Sequence, residues 1–77
     1  MKKVLVSLNS IEKVKSFVKD ITDYDYDFDL ISGRYVIDAK SMLGIFSLDL
    51  SEPLELVIHA DDKTADEILV NLTTYLA

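Results

Sequence analysis

The chain's only histidine is His59, and its densest group of carboxylates is the run of aspartates at positions 23, 25, 27 and 29. A histidine that takes part in acid–base or metal chemistry needs a second ligand or a group that orients its ring. The sequence identifies no such partner, although Asp27 or Glu55 can lie across a sheet from His59, so we interpret it as a surface histidine. Alternating aspartates lie in a row about 7 Å apart and do not surround a point, so we expect a solvated strand face and no calcium site.

The composition of the chain excludes several further classes of site and function. The chain has no cysteine, which excludes disulfides, thiolate metal sites and cysteine catalysis. It contains neither a glycine-rich phosphate loop nor the G-x-S-x-G motif of serine hydrolases. Its net charge of −6 argues against nucleic acid and anionic membranes as partners. We therefore expect no enzyme activity, no metal and no cofactor, and we expect its partners to be proteins.

The segment Asp38–Leu48 offers a different kind of site, because Ser41 is predicted to begin a short helix that runs to about Phe46. The free N–H groups and the dipole at a helix N-terminus favour a phosphate group. Met42, Leu43 and Phe46 lie beside Ser41 on a helix too short to bury all three. The alternative is that Ser41 is only an N-cap and that all three apolar residues belong to the core.

The elements that must position these residues follow from hydrophobic periodicity. The apolar run Val4–Leu8 predicts a buried strand. Asn9, with Glu12 three residues later, is typical of an N-cap with its capping-box partner. Apolar residues then recur at helical spacing, so we expect a helix over residues 10–21.

The middle of the chain has the pattern of a β-hairpin. Strict alternation over residues 23–30 predicts a strand whose apolar face carries Tyr24, Tyr26, Phe28 and Leu30. Ser32-Gly33 is a turn signal, and Tyr35–Ile37 is a short third strand. The hairpin is therefore expected over residues 26–37.

The last third of the chain predicts one strand and one helix. The strand follows Pro53 and alternates from Leu54 to Ala60. Thr64 and Glu67 form a second capping box, which predicts the start of the last helix. One face of that helix is expected to carry Ala65, Ile68, Leu69, Leu72 and Leu76.

Together these elements predict a single α+β domain over residues 1–77, with a four-stranded, mainly antiparallel sheet and all helices on one face. The other face stays open, which explains its polar residues Asp25, Asp27, Asp29, Glu55 and His59. No apolar run is long enough for a transmembrane helix, so we expect a cytoplasmic protein.

The segment Ala39–Leu48, which reads AKSMLGIFSL, resembles the second-helix segment of HPr, the histidine-containing phosphocarrier of the bacterial sugar phosphotransferase system. The lysine-serine pair, the glycine and the second serine fall in the family's register. The Ser32-Gly33 hairpin, the strand Leu54–Asp61 and the helix Asp62–Leu76 also fall in the family's order. The resemblance implies the family's open-faced β-sandwich, βαββαβα.

The first helix departs from the family at the phosphocarrier centre. Family members carry the phosphoryl group on a histidine in the motif G-[ILF]-H-x-R-P. Here the histidine position falls at Ser10 or Asn9, and the arginine position falls at Glu12. Neither a hydroxyl nor an amide forms the phosphoramidate of a phosphohistidine, and Glu12 repels a phosphoryl group. The resemblance therefore implies a divergent member without histidine phosphotransfer, comparable to the catabolite repression HPr.

A second feature of the family is retained. In HPr of Gram-positive bacteria, the serine that matches Ser41 is phosphorylated by an ATP-dependent kinase for carbon catabolite control. The family's partner-docking patch matches Met42, Leu43 and Phe46, all of which are apolar here. The resemblance implies HPr kinase, a transcriptional regulator or other phosphotransferase-system proteins as partners.

Two alternatives remain open. The chain can act as a carrier with an unusual phosphoacceptor, such as Ser10 or His59. It can also act as a binding or structural module without phosphorylation, as a homodimer formed through the open sheet face or through the apolar patch beside Ser41.

Overall fold

A computed structural model describes residues 1–77 and contains four strands and three helices in the predicted order βαββαβα. In chain order these are β1 (Lys2–Val6), α1 (Ile11–Thr22), β2 (Asp27–Ser32), β3 (Tyr35–Asp38), α2 (Met42–Phe46), β4 (Leu54–His59) and α3 (Asp62–Val70), followed by a 3₁₀ turn at Thr73–Tyr75. None of the helices is long and apolar enough to cross a lipid bilayer.

The strands form one antiparallel sheet in the order β1-β4-β2-β3. The register places Val4 opposite Leu56, Leu56 opposite Leu30, and Leu30 opposite Ile37. These four residues share one face, because residues directly opposite each other in a sheet point to the same side. The predicted strand count and antiparallel pairing are confirmed.

The core lies between that face and the helices. Leu30, Leu56 and Ile58 are fully buried on the sheet side. The helices contribute buried residues at helical spacing: Val14, Phe17 and Ile21 from α1, Ile45 from α2, and Ala65 and Ile68 from α3. All helices therefore cover one face of the sheet, as predicted.

The hairpin between β2 and β3 closes through a two-residue turn, with Ser32 paired to Tyr35. Gly33 has a φ of +58°, a backbone conformation that residues with a Cβ rarely adopt. The positive φ of Gly33 thus explains why the sequence has a glycine at this turn.

The predicted strand over residues 23–30 is wrong in its first half. The helix α1 continues to Thr22, and the N–H of Tyr24 donates to the carbonyl of Ile21 at 3.1 Å, so the chain turns before β2 begins at Asp27. Tyr24 is half-buried and its ring lies 6.2 Å from that of Phe28. Its apolar environment therefore comes from a turn that folds back onto the core.

The predicted N-caps of α1 and α3 are also wrong. Ser10, one residue after the predicted Asn9, caps α1 by accepting a hydrogen bond from the N–H of Lys13. Asp61 caps α3 by accepting a hydrogen bond from the N–H of Thr64, the residue predicted to be the cap. In both cases the sequence contains two polar residues that can cap a helix, and the position of the helix in the fold determines which of the two does so.

The C-terminal residues pair with β1 and do not extend α3. The helix ends at Val70, so the predicted helical positions Leu72 and Leu76 lie beyond it. Leu76 forms an isolated bridge with Val6, and the N–H of Ala77 donates to the carbonyl of Leu5 at 3.0 Å. This segment covers part of the outer edge of β1, and the strand itself ends at Val6, two residues earlier than predicted.

The face of the sheet without helices is less polar than predicted. Asp27, Asp29, Glu55 and His59 lie on this open face, whereas Asp25 lies in the turn before β2. Four apolar residues share the face with them: Leu5, Ile31, Val36 and Val57. Val57 is only 4% exposed although no helix covers it.

Candidate functional site at the N-terminus of α2

Ser41 begins α2, as the sequence predicts. Its N–H donates to the carbonyl of Asp38 at 2.9 Å, which closes the turn that leads from β3 into the helix. The Ser41 carbonyl accepts from the N–H of Ile45, and its Oγ accepts from the N–H of Gly44 at 3.1 Å. The hydroxyl is half-buried and lies at the positive end of the helix.

Gly44 allows the close packing of this site. A Cβ at this position would lie 3.2 Å from the Oγ of Ser41 and 3.3 Å from the Cδ1 of Ile37. The absence of a side chain therefore lets the first turn of α2 sit directly against β3. Gly44 is therefore the residue that brings the capping serine close to the sheet.

The apolar residues beside Ser41 divide between the core and the surface. Leu43 is 86% exposed and Phe46 is 41% exposed, whereas Ile45 is fully buried. Met42 is half-buried and packs against the core. The alternative in which all three residues of the patch belong to the core is therefore wrong for Leu43 and Phe46.

Lys40, next to Ser41, has a structural role that the sequence did not reveal. Its Nζ donates to the carbonyl of Tyr24 at 2.6 Å and lies 5.6 Å from the centre of the Phe28 ring. The ammonium thus holds the turn before β2 against the core and does not stand free beside the Ser41 hydroxyl. Only the three-dimensional proximity of the two turns shows this contact.

The N-terminus of α1 contains the residues that the resemblance predicts at the family's phosphocarrier centre. The Ser10 hydroxyl is occupied by the helix cap, at 3.1 Å from the N–H of Lys13. Asn9 and Glu12 are exposed, and Glu12 lies in the first turn of the helix. Ile11, also exposed, is the one large apolar residue at this helix end.

His59 lies on the opposite side of the molecule from α2. Its Nε2 lies 2.7 Å from the Oδ2 of Asp29. The expected partners were Asp27 or Glu55. The register places Asp27 directly opposite His59, but the diagonal neighbour Asp29 makes the contact. Sequence periodicity predicts the shared face and carries no information about which diagonal pair forms.

The rest of the surface was compared with these sites for metal-binding groups and for cavities. No group of three or more histidine, aspartate or glutamate side chains is arranged so that it could hold a metal ion. Three surface cavities are present, and the one beside the β2–β3 turn, of about 380 Å³, is lined by Arg34, Tyr35 and Ser47 among others. None of the three is lined by Ser10, Ser41 or the exposed residues of α2.

Four antiparallel strands with three helices on one face, and a serine-capped short helix between β3 and β4, define an open-faced α+β protein of the HPr type. The family model described as "PTS HPr component phosphorylation site" matches residues 12–77. The chain therefore belongs to the HPr family, the phosphocarrier proteins of the phosphotransferase system. The match begins after Asn9 and Ser10.

Solved structures agree with this assignment. HPr-C-His from Thermoanaerobacter tengcongensis is similar with a TM-score of 0.74 and 25% identity, over 94% of this chain and 90% of that one. A phosphocarrier protein HPr from Bacillus anthracis str. Ames is similar with a TM-score of 0.70 and 25% identity, over 99% of this chain and 94% of that one. A comparison with curated protein sequences finds no match.

Proposed function

We propose that this member of the HPr family is a regulatory protein that binds other proteins through α2, without histidine phosphotransfer, and that phosphorylation of Ser41 switches the binding. The observation that carries the proposal is the arrangement at α2. A capping hydroxyl stands at the helix N-terminus beside exposed Leu43 and Phe46. Its action belongs to phosphotransferase-system regulation or carbon catabolite control in the cytoplasm, with the protein as a substrate of a kinase and not itself an enzyme.

The proposal that histidine phosphotransfer is absent rests on the N-terminus of α1. Ser10 and Glu12 stand there, and the chain's one histidine is on the opposite face. A serine ester of phosphate lacks the transfer potential of a phosphohistidine, and the Glu12 carboxylate repels an incoming phosphoryl group. The His59 ring faces Asp29, with Asp27 directly opposite, which is an unfavourable setting for a dianionic group.

Phosphorylation has a clear physical effect at Ser41. The hydroxyl oxygen takes the γ-phosphoryl group of ATP, its proton is released and ADP leaves. The phosphate adds a charge of about −1.5 to −2 at the positive end of α2. The same charge stands next to Leu43, so it opposes docking of an apolar partner surface and favours a partner with arginine or lysine.

The modification is tested by incubation with HPr kinase and ATP, followed by intact-mass measurement. We expect one phosphate on the wild type and none on Ser41→Ala. Ser47→Ala is the matched control, since it removes the other serine hydroxyl bonded within α2 and should still be phosphorylated. An unmodified wild type, or modification that persists in Ser41→Ala, rejects the switch.

The docking surface is tested by Leu43→Asp, which changes a side chain that is almost fully exposed and should leave the fold intact. Val70→Asp is its control, because Val70 is equally apolar, also exposed, and lies on α3. We expect Leu43→Asp to abolish binding to the first enzyme of the phosphotransferase system or to the catabolite regulator, and Val70→Asp to retain it. Equal binding by both variants contradicts a docking role for α2.

The carrier alternative predicts a different product. Phosphoenolpyruvate and the first enzyme of the system would then give a phosphorylated adduct that depends on Ser10 or His59. We expect no adduct on the wild type. An acid-labile adduct that is lost in His59→Gln would replace our proposal with a non-standard carrier. A chain that binds partners through Leu43 without phosphorylation would fit the binding-module alternative.

A further inference from the structure

The open face of the sheet has exposed apolar side chains on its β2–β3 half. Val36 on the outer strand β3 is 61% exposed, and Ile31 on β2 is half-buried. The two residues stand directly opposite each other, so their side chains are neighbours on the face. Exposed apolar side chains on a sheet face that no helix covers are typical of a binding surface.

Carboxylates lie beside this apolar pair on the same two strands. Asp29 and Asp38 stand directly opposite each other, which places their Cβ atoms about 5 Å apart, and Asp27 lies two residues before Asp29. These aspartates line a surface cavity of about 390 Å³, together with Phe28 and His59. Along β2 the face therefore presents one carboxylate, then a pair of carboxylates, then the apolar pair, at steps of about 7 Å.

Lysine and arginine side chains do not neutralise these three carboxylates, because none of them forms an ion pair with Asp27, Asp29 or Asp38. One oxygen of Asp29 lies 2.7 Å from the Nε2 of His59. One oxygen of Asp38 accepts a hydrogen bond from the N–H of Lys40 at 2.9 Å. The second oxygen of Asp29 and that of Asp38 therefore remain free to accept hydrogen bonds from a partner.

The open face as a whole has an excess of negative charge. It carries one lysine, Lys3, against four carboxylates, those of Asp27, Asp29, Asp38 and Glu55. With a neutral histidine the charge of this face is −3, which is half of the chain's −6. Such a face repels a second copy of itself and is complementary to a partner that combines positive charge with an apolar group.

We propose that the β2–β3 half of the open face binds an extended segment of a partner protein with the pattern R-x-R-x-apolar. Side chains at alternate positions of an extended segment lie on one side about 7 Å apart, which is the spacing of the rows along β2. The first arginine faces Asp27, and the second lies between Asp29 and Asp38. The apolar residue then contacts the pair formed by Ile31 and Val36.

The pair of opposed carboxylates favours arginine over lysine. A guanidinium group presents five N–H donors in a planar fork, whereas an ammonium group is a compact point charge. The fork can bond to two carboxylates at once, and Asp29 and Asp38 each offer one free oxygen from neighbouring strands. Hydrogen bonds between a charged donor and a carboxylate are also the stronger class.

The first test titrates the protein into a fluorescently labelled peptide, Arg-Ser-Arg-Ser-Leu, that is blocked at both ends. Two matched peptides replace both arginines, one by lysine and one by citrulline, which keeps the shape of arginine and removes its charge. We expect the arginine peptide to bind, the lysine peptide to bind more weakly, and the citrulline peptide not to bind. No binding of the arginine peptide, or equal binding of either matched peptide, overturns the proposal.

The second test measures the same binding with Asp27→Asn. Asp27 is exposed and forms no ion pair, so the substitution should leave the fold intact. We expect about tenfold weaker binding of the arginine peptide. Asp25→Asn is the matched control, because it removes the same charge from the turn before β2 and should have little effect. Equal weakening by the two variants would reduce the binding to net charge and overturn the proposal.

A charge exchange tests the contact by gain, which a misfolded protein cannot imitate. Asp27→Lys should bind a peptide in which glutamate replaces the first arginine, Glu-Ser-Arg-Ser-Leu, about tenfold more tightly than the wild type does. Asp25→Lys adds the same charge outside the sheet and should not show this gain. A gain of equal size in Asp25→Lys would contradict a contact at Asp27.

The apolar contact and the location of the site are tested with two further comparisons. Val36→Ser should weaken binding of the arginine peptide, whereas Val70→Ser, at an equally exposed valine of α3, should not. Leu43→Asp should leave peptide binding unchanged, because α2 lies on the other side of the sheet. Loss of binding in Leu43→Asp but not in Asp27→Asn would assign the peptide to α2 and overturn the proposal. Because the two surfaces are separate, the inference stands or fails independently of the proposed function.

Discussion

The hydroxyl of Ser10 is committed to the first turn of α1, where it accepts a hydrogen bond from the N–H of Lys13. We expect Ser10→Ala to lower the free energy of unfolding by about 1 kcal/mol, the usual cost of losing an N-cap. Asn9→Ala should cost much less, because Asn9 is exposed and makes no cap. Urea unfolding of both variants measures the difference. A larger loss of unfolding free energy in Asn9→Ala than in Ser10→Ala would show that Asn9, the residue predicted from the sequence, is the N-cap.

Tyr75 gives the protein a pH-dependent contact at its C-terminal turn. Burial raises the pKa of the Tyr75 hydroxyl above its usual value of 10.0, and the nearby Asp20 carboxylate, at 2.7 Å, raises it further. A raised pKa means that the fold favours the neutral hydroxyl. Its contribution to stability is therefore complete below about pH 10 and is lost as pH rises through the folded pKa.

The corresponding variant is Tyr75→Phe, which removes the hydrogen bonds to Asp20 and Ser16. We expect it to be about 1–2 kcal/mol less stable than the wild type at neutral pH. The difference should narrow above pH 10, where the wild type begins to lose the contact. Urea unfolding across this range measures it, with the exposed Tyr26→Phe as control. A difference in stability between the wild type and Tyr75→Phe that stays constant with pH would contradict a stabilising contact of the neutral Tyr75 hydroxyl.

At the scale of elements, the β2–β3 hairpin depends on one backbone conformation. A Cβ on Gly33 would meet no atom within 4 Å, so substitution there tests φ alone. We expect Gly33→Ala to destabilise the protein by about 1 kcal/mol and Gly33→Asn by less, because asparagine tolerates positive φ better. Thermal unfolding compares the two. Equal stability of Gly33→Ala and the wild type would show that the turn has an alternative geometry.

Sequence periodicity predicted the elements well where one local pattern acted alone. The inward positions Phe28 and Leu30 were predicted by alternation, and α1 by helical spacing, and both are confirmed. Prediction failed where two patterns competed. The alternation of residues 23–26 is indistinguishable from that of a strand, but α1 continues to Thr22 and residues 23–26 form the turn that leads into β2.

Contacts of the candidate site that depend on tertiary position were not predictable. The motif predicted Ser41 as a cap and an apolar patch beside it. The exposure of Leu43 against the burial of Ile45 depends on how α2 rotates about its axis against β3. The Lys40 contact with Tyr24 joins two turns that are far apart in sequence, and no local pattern carries such information.

At the scale of the whole molecule, excess negative charge opposes compaction. The net charge is −6, and the ion pairs of Lys2 with Asp66 and of the N-terminus with Asp62 are exposed. We therefore expect potassium chloride to raise the thermal midpoint by about 3 °C, because screening by salt weakens the repulsion among the carboxylates more than it weakens the ion pairs. Asp25→Asn, which removes one unpaired charge, should respond less. A midpoint that falls with salt would show that ion pairs dominate.

The sheet order also determines how the chain must fold. The only sheet neighbour of β1 is β4, so Val4 meets Leu56 only after most of the chain has been made. Closing so long a loop costs entropy before the contact returns any free energy. The β2–β3 hairpin is joined by only two residues, so its strands can pair without closing a long loop. Folding is therefore expected to start in the middle of the chain, and β1, synthesised before the other strands, joins the sheet last.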